Sequence, residues 1–359
     1  MIQIDGNSLT INDIHNTAVD LEAVRLSPEI IPKIKESRHW VEQIIAKGDP
    51  VYGINTGYGI FANKQISSAE TRLLNRNLIL SHAVGTGDPL PTEVVRAAML
   101  IRANTLAKGY SGVRLVLIET LLEMLNHGVH PVIPSQGSLG SSGDLAPLSH
   151  LALVMTTDDQ DLEEFSGFAE YKGAILSGKE AMEKAGIQRI ILEAKEGIAL
   201  NNGATFSAAI GALACFEGAR LLDISDIALA MSLEALLGTS AAFDPRIHQS
   251  RQHPGQIRTA EKVLELTQGS TLLDSTNRVQ DAYSLRCSPQ VHGPARETLD
   301  FTQEVISREI NAATDNPLLF AEGQAISGGN FHGEPVGMVM DFLSIAMAEI
   351  AGISERRVY

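Results

Sequence analysis

Residues 135–150, SQGSLGSSGDLAPLSH, form the densest small-polar run in the chain: three glycines and four serines precede Asp144. Residue chemistry leaves three readings open. The first is an ordinary Gly/Ser turn in which Asp144 caps the helix that begins near Leu145, accepting from its unpaired backbone N–H groups. The second is a phosphate cradle, which the run fits poorly: GxGxxG is absent, and no lysine stands where a P-loop needs one. The third is covalent. The amide nitrogen of Gly143 can attack the carbonyl carbon of Ser141, because glycine offers the least hindrance and permits the strained turn. Loss of water, including the hydroxyl of Ser142, then leaves an electron-poor exocyclic methylidene. This chemistry is possible, but it does not by itself select the third reading.

Metal chemistry finds less support. Among ten histidines, His248 and His253 are five apart in IHQSRQHPG. No HExxH and no compact Cys/His/Asp cluster accompanies them, so no metal site is expected. Cys215 and Cys287 are too few for a disulfide framework and lie in no CxxC spacing. Cys215, in an apolar Ala-rich run, reads as a buried small hydrophobe.

The segments that must position these residues are mostly helical. From Thr92 to Gly109, apolar residues recur at three- and four-residue steps, behind Pro91 at a favourable start. A second helix carries Leu117, Leu121, Met124 and Leu125 on one face and stops at Gly128. Segment 189–238 reads as one or two helices, apolar over most of their surface and therefore buried in a bundle. Stretches 297–313 and 334–350 read as further helices. Strand signals are short: IQIDG at 2–6 alternates and is expected to pair as a hairpin with Leu9 to Ile11. Residues 155–187 read as a surface hairpin or loop excursion. The fold expected is mainly α, a long-helix bundle with an irregular N-terminal region. Residues 1–188 form that loop-rich region with the reactive segment, and 189–359 a helical bundle domain.

Composition bounds the function. The 359 residues and 38.5 kDa suffice for a large core, and 44 % of residues are apolar, as in a globular protein. The balance of 28 basic against 43 acidic residues gives −15, which argues against a nucleic-acid partner. The start MIQIDGNSLT has no basic stretch followed by an apolar one, so no signal peptide is read. No apolar run reaches the roughly 18 residues of a membrane span without polar interruption. A soluble cytoplasmic protein with no membrane partner is expected.

Spread along the chain are VYGINTGYG (51–59), SHAVGTG (81–87), RANTLAKGYSGVR (102–114) and GSLGSSGDLAPLSH (137–150). FDPRIHQSRQHPGQ (243–256), VQDAYSLRCSPQVHG (279–293), TDNPL (314–318) and SGGNFHGEP (327–335) follow. Together they resemble the aromatic amino acid ammonia-lyase and aminomutase family, most closely its histidine-specific branch. The resemblance implies a long-helix bundle and a 4-methylidene-imidazol-5-one electrophile made from Ser141, Ser142 and Gly143, with no external cofactor. The first triad position is usually alanine; Ser141 departs from that pattern but keeps its side chain outside the ring.

The resemblance also implies roles. Tyr52 is the base for the β-proton of an amino acid substrate. A phenol ordinarily titrates near 10, so such a base needs help from dipoles or neighbours. Tyr283 orients or protonates at the electrophile, and Asn202, within the departing sequence ALNNGAT, holds its surroundings. Arg286 receives the substrate carboxylate through its planar fork. Gln280 adds a polar contact, Phe331 packs on the electrophile or substrate ring, and Asp144 assists cyclisation. His82 is the specificity residue, able to hydrogen-bond an imidazole. The implied reaction is conversion of L-histidine to trans-urocanate and ammonia. Phenylalanine or tyrosine deamination, an aminomutase, or a silent helical assembly protein are the alternatives. A homotetramer with active sites shared between subunits is implied, as is a further C-terminal block beyond Tyr359 that completes the bundle.

Overall fold

The computed structural model describes the backbone of residues 1–359 and all side chains except those of Ser68 and Ala69. It is mainly helical and divides into two units. Met1–Leu213 with Ile306–Val336 form the first; Ala214–Val305 with Gly337–Tyr359 form the second. Residues 189–213 therefore belong with the loop-bearing unit.

The first unit is built around a helix that is buried on every side. Helices α1 (Ile11–Ala18), α2 (Ile31–Lys47), α3 (Ser68–His82), α4 (Thr92–Ala107) and α5 (Leu115–His127) come first. Next are α6 (Leu145–Met155), α7 (Gly178–Ala185) and α8 (Glu196–Asn201). Every residue of α4 from Val95 to Ala107 is buried, and α1 and α5 pack against it. Such a helix is held by packing all round rather than by one apolar stripe. Helix α5 ends as its sequence predicts: Gly128 is left-handed at φ +73° and donates its N–H to Met124. Val41, Ile54, Ala194 and Leu319 form a second apolar cluster, with Trp40 against it.

Strands are short and peripheral. Ile2–Ile4 pairs in parallel with Val24–Leu26, not as a hairpin with residues 9–11. Residues 11–18 are helical, so the nearest extended partner lies beyond α1. Within the 155–187 excursion, Phe168–Tyr171 and Ala174–Ser177 do form an antiparallel hairpin, followed by α7. Thr86–Pro89 pairs antiparallel with Pro134–Gln136.

The second unit holds most of α9 (Thr205–Ala235), then α10 (Pro245–Arg251), α11 (Pro254–Leu266) and α12 (Tyr283–Arg286). It also holds most of α13 (Ser288–Glu309) and α14 (Glu334–Val358). Leu229, Leu233, Phe243, Val263 and Leu285 form its core. Buried His292 meets Asp226 at 2.7 Å and Arg357 at 2.8 Å, tying α9, α13 and α14 together. His248 is buried, with Nε2 donating to Ala242 and Nδ1 accepting from Gln256. Cys215 is fully buried, which pushes its thiol up to about 12. Ile224, Ile227 and Met231 on α9, and Met338, Phe342 and Ile345 on α14, are exposed. Both helices are long and apolar enough to cross a bilayer, a property shared by core helices of soluble bundles.

Candidate active site

The Ser-Ser-Gly run is a tight turn wedged between other backbone segments of the first unit. Gly143 donates its N–H to the Gly140 carbonyl at 3.2 Å, closing a turn around Ser141 and Ser142. Gly333 donates to the same carbonyl at 2.8 Å, and Asp144 donates to the Gly203 carbonyl at 2.9 Å. Gly143 has φ +79°, and a Cβ there would lie 2.5 Å from the Gly203 nitrogen and oxygen. No side chain fits at that point, so glycine is required by close approach as well as by φ. This cradle suits a five-membered ring closed within 141–143, which needs a compact, side-chain-free third residue. Ser141 is exposed. Its hydroxyl therefore faces solvent at little cost where the family pattern has alanine.

Asp144 begins α6, yet its carboxylate does not cap that helix. It accepts from the Ser207 N–H at 2.9 Å, from the Ser207 hydroxyl at 3.0 Å and from the Ser138 hydroxyl at 2.7 Å. The capping reading of Asp144 therefore does not hold for its own helix. Asp144 serves the first turn of α9, where the helix dipole favours an anion, and it fixes the start of the reactive loop through Ser138.

Asn202 ends α8 and is buried. Its side-chain amide donates to the Asn316 carbonyl at 3.2 Å. Its own carbonyl accepts from Arg102, which also donates to the Thr205 hydroxyl and, at 3.2 Å, to the Ala199 carbonyl. Lys195 and Asp315 form an ion pair closed to solvent. Burial pulls Lys195 down and the Asp315 charge opposes that pull. Burial also pushes Arg102 down to about 10, against Asp315, Asp144 and Glu309. Glu309, at the end of α13, is pushed up to about 7 by burial and by the Asp144 charge, with Arg102 opposing.

Tyr52 is half-buried, one residue before Gly53, whose left-handed turn (φ +70°) packs near Pro317 and Ile198. That turn brings the Tyr52 loop to the 315–317 segment that Asn202 holds. The rings of Tyr52 and Tyr58 meet edge to face, 6.4 Å between centroids. Tyr58 donates to Asn75 at 3.2 Å. Burial, then Tyr52 and Asp315, raise its phenol above the ordinary range, so Tyr58 stays a neutral donor.

His82 closes α3. A carbonyl can only accept, so the 2.9 Å contact with Leu78 places the proton on Nδ1 and leaves Nε2 as an acceptor. The next residues join the strand pairing beside the reactive loop, and Gly85 donates to His150 at 3.0 Å. Phe331 is half-buried, two residues before Gly333. The first unit therefore carries Tyr52, His82, Ser141, Ser142, Gly143, Asp144, Asn202 and Phe331.

Gln280, Tyr283 and Arg286 belong to the second unit: Gln280 precedes α12, and Tyr283 and Arg286 are its first and last residues. Arg286 donates to the Asp281 carbonyl at 2.9 Å, and its guanidinium lies over the Tyr283 ring, 4.3 Å from the centroid. Tyr283 and Gln280 are exposed.

Arg102, Lys195, Asp315, Glu309, Ser138 and Ser207 were not read as site residues from the sequence. The available signal was two arginines, Arg96 and Arg102, inside a largely apolar helical pattern. A buried cation there needs acceptors, and only the fold reveals which ones.

A mainly helical scaffold clamps a Ser-Ser-Gly turn, with room for nothing but glycine at its third residue. The aromatic amino acid lyase family matches residues 9–359, and the chain belongs to that family. It is 50 % identical over 360 residues to a histidine ammonia-lyase of Alkaliphilus metalliredigens, covering 99 % of this chain and 69 % of the relative. Among solved structures it is similar to the histidine ammonia-lyase from Trypanosoma cruzi. There the TM-score is 0.89 and identity 37 %, over 99 % of this chain and 66 % of that one. The Pantoea agglomerans phenylalanine aminomutase is similar with TM-score 0.92 and 33 % identity, over 100 % of this chain and 72 % of that one. One backbone thus serves differently named reactions, and substrate choice rests on side chains.

Proposed function

We propose that the chain carries the electrophile-forming and substrate-binding loops of an enzyme that removes ammonia from L-histidine to give trans-urocanate. The observation that carries this reading is the tight turn at 140–143, closed by the Gly143 N–H on the Gly140 carbonyl and clamped against Gly203. A methylidene-imidazolone closed there from Ser141, Ser142 and Gly143, without any added cofactor, would supply the electrophile that makes the substrate amine a better leaving group. Tyr52 takes the β-proton, the Cα–N bond breaks, and the electron pair of the C–H bond becomes the new double bond. His82 supports histidine as substrate, because its free Nε2 accepts from an imidazole N–H and offers nothing to a phenyl ring. Arg286, beside Tyr283 and Gln280, supplies a guanidinium for the carboxylate. Asn202 holds the 315–317 segment under the loop, and Phe331 covers it.

We place the enzyme in the cytoplasm as a homotetramer whose sites draw on more than one copy, without nucleic-acid or membrane partners. Exposed Leu139 at the tip of the loop and the exposed apolar faces of α9 and α14 support assembly. The substrate test is the rise of ultraviolet absorbance from a conjugated acid with each amino acid in turn. Absorbance growth with histidine is expected; growth only with phenylalanine or tyrosine overturns the substrate. A β-amino acid formed without free ammonia would place the chain with the aminomutases.

A further inference from the structure

Arg102 lies directly behind the wall on which the reactive turn is pressed. It is fully buried. It bonds carbonyls and a hydroxyl, those of Ala199, Asn202 and Thr205. These acceptors are the last turn of α8 and the first residue of α9, the two sides of Gly203. A Cβ on Gly203 would lie 3.1 Å from the Arg102 guanidinium and 2.8 Å from Thr314 Cβ. Gly203 is therefore held from behind by Arg102 and Thr314, while its front meets Gly143 and accepts from Asp144. A single planar fork sets the height of that wall. Lysine offers one point charge and cannot hold three acceptors in a fixed plane.

We infer that Arg102 is a positioning residue for backbone cyclisation: it fixes the Asn202–Gly203 wall that holds Gly143 in place while its nitrogen attacks the Ser141 carbonyl carbon. This rests on the reading that 141–143 cyclises. In that step the Gly143 N–Ser141 C bond forms. The Ser141 carbonyl oxygen leaves as water with the amide hydrogens of Ser142 and Gly143. The Ser142 Cα hydrogen and hydroxyl leave as a second water, with no net oxidation. Attack across a turn depends steeply on distance, and a misplacement of about 1 Å costs on the order of a hundredfold in rate.

The test follows intact mass of the full chain after synthesis, beside its far-ultraviolet circular dichroism. Wild type is expected to become lighter by two waters. Arg102→Met is expected to fold with wild-type helicity and to lose water about a hundredfold more slowly, with Arg102→Lys between the two. Thr205→Val keeps the cation and removes one acceptor. It carries the comparison if Arg102→Met does not fold, and slowed water loss at unchanged helicity is expected. Wild-type rates of water loss in folded Arg102→Met, or in Thr205→Val where Arg102→Met does not fold, overturn the role of Arg102 alone. A wild type that never loses water removes the cyclisation reading itself, and this inference with it.

Discussion

Replacing Glu309 with glutamine should stabilise the protein at neutral pH and leave it unchanged in acid. The carboxyl moves from 4.5 to about 7, first because burial disfavours its charge and second because the Asp144 charge repels it. The sign follows from linkage. A folded value above the unfolded one means the neutral acid is favoured in the native state. The native state is then unpenalised below 4.5, loses stability as pH rises, and carries the full penalty above about 7. At 1.36 kcal/mol per pH unit the ceiling is about 3 kcal/mol, reduced because Glu309 keeps some solvent contact. Glutamine retains the shape and hydrogen-bonding capacity of the neutral acid without this cost. The assay is denaturant unfolding of both proteins from pH 4.5 to 8, followed by fluorescence. The chain has one tryptophan, Trp40, packed in the same unit as Glu309. The difference should be near zero at pH 4.5 and reach about 1–3 kcal/mol in favour of glutamine at pH 8. A difference independent of pH, or a glutamine variant that is less stable at pH 8, would refute the assignment of Glu309 as a carboxyl strained by burial and by Asp144.

Two further substitutions test the clamp around the turn. Gly143→Ala puts a methyl into the Gly203 backbone at a left-handed φ; roughly 1–3 kcal/mol should be lost, and intact mass should show the two waters retained. Asp144→Asn removes the charge that the first turn of α9 receives through Ser207; denaturant unfolding should show about 1–2 kcal/mol lost, whereas wild-type stability would mean the amide oxygen serves equally well.

The helical frame was legible because periodicity and stop signals agree. Helices α4 and α5 run where their apolar spacing places them, and Gly128 ends the second. The run 189–238 was read as one or two helices, and it breaks at Asn202–Gly203 between α8 and α9. There Gly203 takes φ +106° against Thr314, a long-range packing demand that local pattern does not encode. The N-terminal strand forms at Ile2–Ile4, but its partner differs from the expected hairpin for a similar reason: the parallel partner lies across a helix, and turn signals report only neighbours in sequence. The reactive loop stood out by composition, but composition could not say what presses on it. Asp144 reads as a cap for its own helix, whereas its carboxylate serves another one more than fifty residues on, through Ser207 at a separation of 63.

The buried charges beneath the loop explain both the loop's rigidity and the state of Glu309. Lys195 and Arg102 bring two positive charges, Asp315 and Asp144 two negative ones. That set is neutral without Glu309. A fifth charge there would be uncompensated in a medium that hydrates it poorly, so the carboxyl keeps its proton until about 7. Removing Lys195 or Asp315 alone would leave its buried ion-pair partner unpaired, which is far costlier than replacing the whole pair by apolar groups. The arrangement therefore resists gradual deformation: Asp144 cannot leave Ser207, nor Arg102 the Asn202 carbonyl, without stranding a charge. Both ends of the contact between Gly143 and Gly203 are tied to this set, one through Asp144 and the other through Arg102. A cyclisation that must hold two backbone atoms in close approach for long enough to lose two waters has its rigidity supplied by electrostatics that never touch the substrate.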